Sequence, residues 1–228
     1  MNLSYPSDGA VLASVSILML TQMFPLEAEY HAEREEEHLR SLLLSGANVQ
    51  SDIDAGMLIG DAISSIALAR AANDGMKNAQ APKAVSDSLA EAAQNSFGWK
   101  WVNVEIPKRP VGLTPLFSQV QMWSVDNVEL TRPIPPPAVG SAEYEKDVAI
   151  LQDHADNITE EKRRIANFWQ DGLGTYTLPG HWNEFSKEFI VTYRLNPLSS
   201  ARTFAYLNMA MMKDGMICWD AKYYYTYH

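Results

Sequence analysis

Residues 219–228 read Trp219-Asp220-Ala221-Lys222-Tyr223-Tyr224-Tyr225-Thr226-Tyr227-His228 and close a long helical pattern. That pattern begins at Asn196-Pro197, a capping residue followed by a first-turn proline. One lysine stands among five aromatic side chains, and an ammonium group on an apolar wall is costly to bury unless an anion meets it. Two interpretations stay open: a lysine that extends its charge to solvent at a helix end, or the remnant of an anion pocket.

Helical periodicity recurs through most of the sequence, and strand signals are nearly absent, which predicts an all-α fold. The periodic segments lie at about residues 9–24, 26–44, 53–73, 82–94, 141–157, 159–169, 181–193 and 197–219. Several begin at residues that favour helix caps, among them Ser51-Asp52, Ser141 and Thr159. We expect a helical bundle formed by a single domain over residues 1–228.

Residues 95–140 lack periodicity and contain seven prolines. A structureless segment of this length is unusual inside a domain. It also carries large aromatic residues, including Trp99, Phe117 and Trp123. These side chains favour an ordered, proline-rich wrapping loop that packs across the helices, and an interdomain linker is the alternative.

Composition excludes several classes of partner and site. With Lys+Arg 18 against Asp+Glu 28, the net charge of −10 argues against nucleic acid and anionic membranes as partners. Cys218 is the single cysteine, which excludes an internal disulfide framework and a cysteine-rich zinc site. The spacing Glu35-x-x-His38 matches half of a di-iron motif, but no second Glu-x-x-His follows. We therefore expect a soluble, cytoplasmic protein without a metal or cofactor.

Several short blocks of the sequence resemble one family. In the second half they are PPPAVGSAEY at 135–144, IANFWQDG at 165–172, TYTLPGHWN at 175–183 and WDAK at 219–222. In the first half they are SYPS at 4–7 and SDIDAG at 51–56. Together these blocks resemble the bacterial haloperoxidase-like branch of the vanadium haloperoxidase and type 2 phosphatidic acid phosphatase superfamily. The resemblance implies an all-α haloperoxidase-type bundle.

The order of the blocks is reversed relative to that family. Residues 1–78 resemble its carboxy-terminal half, and residues 141–228 resemble its amino-terminal half. The chain is thus similar to a circular permutation, which folds tolerate where chain ends lie close together on a surface. We expect Ser7 and Lys222 to lie on the same cavity if this interpretation holds.

The resemblance also implies a site for phosphate or vanadate, held by lysine, arginine and serine side chains. Lys222 and Ser7 match the family's lysine and serine, and Asp52 matches the acid that orients its ligating histidine. Asp8-Gly9 stands where the family has Gly-His, Leu42 stands in place of an arginine, and Asn48 stands in place of the nucleophilic or ligating histidine. The remaining arginine would follow His228. Because one lysine cannot hold a multiply charged oxyanion beside Asp8, we expect neither vanadate nor phosphoryl chemistry.

The residues that stand at the positions of the family's site favour an organic ligand. We expect a degenerate family member that binds an apolar or aromatic small molecule in the old active-site cavity. The expected lining consists of Tyr5, Asn48, Asp52, Trp182, Tyr223, Tyr224, Tyr225 and Tyr227. A homo-oligomer is an open option for the assembly.

Two other functions stay open. One is a repurposed, cofactor-independent cyclase or isomerase in which Lys222, Asp8 and His181 act with the tyrosines. The other is residual phosphatase or haloperoxidase activity. Each residue also has a purely structural interpretation: His181 behind a Pro-Gly break at the start of a helix, Asp8 as the cap of the first helix, and the tyrosines as packing residues.

Overall fold

The computed structural model describes residues 5–99, 103–104, 106–108, 112–124, 127–172 and 174–226. These residues form helices and no strands, so the all-α prediction is confirmed. The helices are α1 (Asp8–Met23), α2 (Ala28–Leu44), α3 (Gln50–Asn73), α4 (Lys83–Phe97), α5 (Ala142–Asp156), α6 (Glu160–Trp169), α7 (Thr177–Thr192) and α8 (Pro197–Tyr225). They group into two compact units, Met1–Lys77 and Asn78–His228, which are described separately.

Capping side chains mark the starts of four of the eight described α-helices. Ser141, Thr159 and Asn196 accept hydrogen bonds from backbone amides in the first turns of α5, α6 and α8. The start of α1 differs from the prediction, because Ser7 is the cap and Asp8 is the first helical residue. The Asp8 carboxylate instead accepts a hydrogen bond from the adjacent Gly9 amide at 2.8 Å.

Small residues bring α1 and α3 together in the first unit. Gly56 and Gly60 of α3 are buried against α1, and a Cβ added at Gly60 would lie 2.6 Å from the Ser14 Cβ. A Cβ added at Gly56 would overlap the Ser7 carbonyl oxygen. Ser7 and Ser14 are themselves fully buried or nearly so. The close approach of the two backbones therefore depends on the absence of side chains at both glycines.

The second unit is built around α8, which contacts α4, α7 and two short 3₁₀ helices at Phe117–Gln119 and Val128–Thr131. Its core contains Ala79, Val120 and Met216, with Phe117, Met122 and Met212 packed around them. Both 3₁₀ helices belong to the proline-rich segment 95–140. These two parts of that segment thus pack on α8.

The α3 region stands out for its hydropathy. By length and composition alone, Gln50–Asn78 is the one described stretch that could cross a bilayer, with a mean hydropathy of 1.3 in its most apolar window. The core helix of a water-soluble protein meets the same criterion. Location in the cell therefore stays a prediction.

Candidate functional site

Three groups of side chains contain most of the residues that the sequence singled out. The first is the serine group of Ser7, Asn48 and Asp52 in the first unit. The Ser7 hydroxyl donates to Asn48 Oδ1 at 2.9 Å and accepts from the Ala10 amide at 3.2 Å. The Ser7 amide donates to the Asp52 carbonyl at 2.9 Å, and Asp52 Oδ2 accepts from the Val49 amide at 3.1 Å.

The serine group ties the start of α1 to the start of α3. Ser7 is 0% exposed, and its hydroxyl is already used both as a donor and as an acceptor. Asp52 satisfies a backbone amide at the beginning of α3 rather than a histidine. Leu42 covers Gly9, because its Cδ atoms would lie 3.1 Å from a Cβ added there. These contacts support the helix ends, and Tyr5 lies beside them with 68% of its surface exposed.

The second group is the tyrosine group at the end of α8. The Tyr223 hydroxyl donates to the Leu113 carbonyl at 2.8 Å, and the Tyr225 hydroxyl donates to the Pro133 carbonyl at 2.7 Å. Burial raises the pKa of the Tyr223 phenol above its ordinary value. These bonds join α8 to Leu113 and Pro133. Tyr227 lies outside the described residues.

Two cations stack on the aromatic rings of the tyrosine group. The Lys222 ammonium lies 4.6 Å from the centre of the Trp219 ring, and the Arg132 guanidinium lies 3.7 Å from the centre of the Tyr224 ring. Arg132 also forms a two-bond ion pair with Asp220, at 2.7 and 3.1 Å. The sequence interpretation missed this pair, because the partners lie 88 residues apart in the sequence.

The third group, the histidine group, is built around His181 in the first turns of α7. Both carboxylate oxygens of Asp171 lie close to His181 Nδ1, at 2.9 and 3.0 Å. Because a carboxylate only accepts, Nδ1 carries the proton, and in the uncharged form of the ring Nε2 is the acceptor. Both side chains are nearly buried, at 11% exposed for His181 and 5% for Asp171.

Aromatic rings surround this pair. The His181 ring stacks on Trp169 and on Phe185, with centroid distances of 5.3 and 4.8 Å, and meets Phe168 edge-on at 4.7 Å. Trp182 packs against Trp169 at 5.9 Å. Phe168, Trp169 and Trp182 each keep between 45% and 47% of their surface exposed. The group is therefore an aromatic surface with a fixed imidazole inside it.

The fold explains how the histidine group forms. Phe168 and Trp169 end α6, and the following turn leads into α7. Asp171 lies in that turn with φ +46°, a left-handed conformation that Asp tolerates better than most residues. The Thr177 start of α7 places Pro179 within the first turn, where a missing amide breaks no helical hydrogen bond. The sequence analysis did not identify Asp171 as a site residue. It stands ten residues before His181 in the sequence.

The histidine and tyrosine groups lie apart within the second unit. Asn183 of α7 pairs with Asn208 of α8 through two amide hydrogen bonds at 3.0 and 2.9 Å. Lys222 lies about 21 Å beyond Asn208 at the usual helical rise. His181 and Trp182 are thus not brought together with Lys222 and the tyrosines. Ser7 belongs to the other unit, so its relation to Lys222 stays a prediction.

Comparison of the chain with protein-family models, with curated proteins and with solved structures finds no match. The haloperoxidase-like resemblance therefore stays an interpretation of the sequence. Within the described part of the chain, no three His, Cys, Asp or Glu side chains come together as a metal-binding group.

Proposed function

We propose that the protein binds a flat aromatic small molecule at the histidine group and has no oxyanion chemistry. The observation that carries this proposal is the Asp171–His181 pair within a half-exposed aromatic surface. Large exposed aromatic surfaces on soluble proteins mark binding sites. A polar group held at a fixed position among them gives a ligand its orientation.

The chemistry of the group indicates the class of ligand. Half-exposed Trp169 and Trp182 offer ring faces for stacking a planar molecule. In its uncharged form the His181 ring offers Nε2 as an acceptor, because Nδ1 donates to Asp171. An aromatic ring that carries a hydroxyl or an N–H donor suits both features.

The serine group supports the proposed lack of oxyanion chemistry. An oxyanion needs several free donors, but the Ser7 hydroxyl is buried and donates to Asn48. Asn48 and Leu42 stand at positions where the resemblance requires a histidine and an arginine. No titratable side chain replaces them at those positions.

Naphthol is a suitable probe, because it combines a flat ring with one hydroxyl donor. We expect saturable binding, followed by tryptophan fluorescence and calorimetry. Trp169→Ala should weaken binding about tenfold, which corresponds to about 1.4 kcal/mol. Asp171→Asn should weaken naphthol more than naphthalene, because only naphthol uses the oriented imidazole.

Trp123→Ala is the matched control, since Trp123 is also half exposed but lies outside the histidine group. Its affinity for naphthol should equal that of the unmodified chain. Equal losses in the two tryptophan variants, or no saturable binding at millimolar probe, would contradict the proposal.

A second candidate function is catalysis of proton transfer, the cofactor-independent isomerase or cyclase named above. The Asp171–His181 pair favours it, because a carboxylate that holds Nδ1–H fixes the tautomer in which Nε2 accepts a proton. The apolar rings exclude water from the imidazole and suit an apolar substrate.

Ring-opening of nitrobenzisoxazole tests this second function without knowledge of the substrate. His181 Nε2 would take the ring C–H proton, the C–H electrons would form the nitrile, and the N–O bond would break to give a coloured phenolate. We expect a saturable rate that His181→Gln abolishes and Asp171→Asn lowers at least tenfold. A rate that is the same in His181→Gln as in the unmodified chain would reject catalysis while leaving the binding proposal intact.

A further inference from the structure

A cavity of about 350 Å³ lies between α2 and α3 of the first unit, away from the histidine group. The residues that line it come from both helices and are Ala32, Glu35, Glu36, Leu39, Arg40, Leu43, Gln50, Ile53 and Met57. Its volume falls at the lower end of the range for small-molecule sites. One organic molecule of modest size would fill it.

The cavity has an apolar floor and a charged rim. Ile53 is 1% exposed, and Leu39 and Met57 are half-buried beside it. Glu35 is also half-buried, whereas Glu36 and Arg40 are exposed. The rim therefore carries two carboxylates against one guanidinium, and the carboxylate of Glu35 is the one next to the apolar surface.

The environment of Glu35 favours a positive charge. Partial burial, and secondarily the negative charge of Asp61 on α3, raise the pKa of the Glu35 carboxyl. Asp61 accepts a hydrogen bond from the Ser14 hydroxyl of α1 at 2.7 Å, which fixes the position of its carboxylate. A cation in the cavity would offset both carboxylates, and Arg40 at the rim supplies only part of that compensation.

We propose that this cavity binds an organic cation, a protonated amine carried on a small apolar body. The apolar body packs on Ile53, Leu39 and Met57, and the ammonium group pairs with the Glu35 carboxylate. This pairing is stronger than an exposed ion pair, because Glu35 is already partly removed from water. The inference is independent of the proposed aromatic site in the second unit.

Three probes of one shape but different charge test the proposal. We expect phenethylammonium to bind saturably at neutral pH in calorimetry. Phenylethanol, which lacks the charge, and phenylacetate, which reverses it, should each bind at least tenfold more weakly. Raising the salt concentration should weaken the ammonium probe only, because screening acts on its ion pair.

Two variants locate the site. Glu35→Gln should weaken phenethylammonium at least tenfold, while Glu33→Gln, an exposed glutamate on α2 outside the cavity, should leave its affinity unchanged. Ala32→Phe should weaken all three probes, because the added ring fills the cavity from α2. Equal affinity for the three probes, or equal binding by Glu35→Gln and the unmodified chain, would overturn the inference.

Discussion

At the scale of single residues, Arg132 and Asp220 form an ion pair in which each charge compensates the other. Only 17% of the Arg132 side chain and 11% of Asp220 are exposed. Arg132→Ala leaves the Asp220 carboxylate nearly buried and removes the cation from the Tyr224 ring. We expect a loss of about 2–3 kcal/mol in the free energy of unfolding, measured by chemical denaturation. Glu129→Gln is the control, because Glu129 is 68% exposed and its 3.8 Å pair with Arg132 contributes little.

Glu35 gives a residue-scale prediction for pH. Its pKa in the folded chain is raised above 4.5, so the folded state holds the Glu35 proton more tightly than the unfolded state does. The stability that Glu35 contributes therefore falls as the pH rises through the interval between 4.5 and the raised value. Glu35→Gln should raise the melting temperature at neutral pH, with no difference well below pH 4.5. A difference that is constant across pH would contradict the burial of this carboxyl.

At the scale of elements, the packing of α1 on α3 depends on glycine. A methyl group at Gly56 would overlap the Ser7 carbonyl oxygen, and a backbone atom cannot change rotamer to relieve the overlap as a side chain can. We expect Gly56→Ala to lower the stability by about 1–3 kcal/mol despite the better helix propensity of alanine. Gly215→Ala in α8 is the matched control, because its Cβ would meet only the edge of the Phe117 ring at 3.3 Å. Similar melting temperatures for the two variants would contradict the tight α1–α3 contact.

The sequence predicted which helices exist better than it predicted where each helix ends. Capping residues such as Ser141 and Thr159 indicate a helix start from the local sequence alone, because the capping hydrogen bond forms within one turn. The Pro-Gly pair before His181 suggested a break, but Pro179 fits inside the first turn of α7. The helix predicted to end near residue 219 continues to Tyr225. Its last turn is supported by contacts with Leu113 and Pro133, which are distant in the sequence.

The site was less predictable than the helices for the same reason. His181 and Trp182 were recognised from their residue types. Their partner Asp171 was missed, because the pairing depends on the turn between α6 and α7. Lys222 and the tyrosines attracted attention as a possible anion pocket, yet their described contacts are with rings and backbone carbonyls. Whether the chain is a permuted haloperoxidase relative stays a prediction.

At the scale of the whole molecule, much apolar surface lies open. Among the described residues, Ile53, Val120 and Met216 are the buried aliphatic side chains larger than alanine. By contrast, Leu58 and Ile66 on α3 are 71% and 72% exposed, and Leu198 on α8 is 80% exposed. Because patches of this kind favour association, we expect a homo-oligomer. Light scattering after size exclusion should give a multiple of 25.5 kDa, and a 25.5 kDa monomer at every concentration would contradict this expectation.

We propose above that the histidine group binds a flat aromatic molecule. Nuclear Overhauser contacts between bound naphthol and isotope-labelled histidine test this binding most directly. The chain has five histidines, so His181→Gln assigns the relevant signals. We predict contacts from the naphthol ring to the carbon-bound protons of His181, weakened in Trp169→Ala and unchanged in Trp123→Ala. Saturable naphthol binding with no contact to His181 would place the ligand elsewhere and contradict the account.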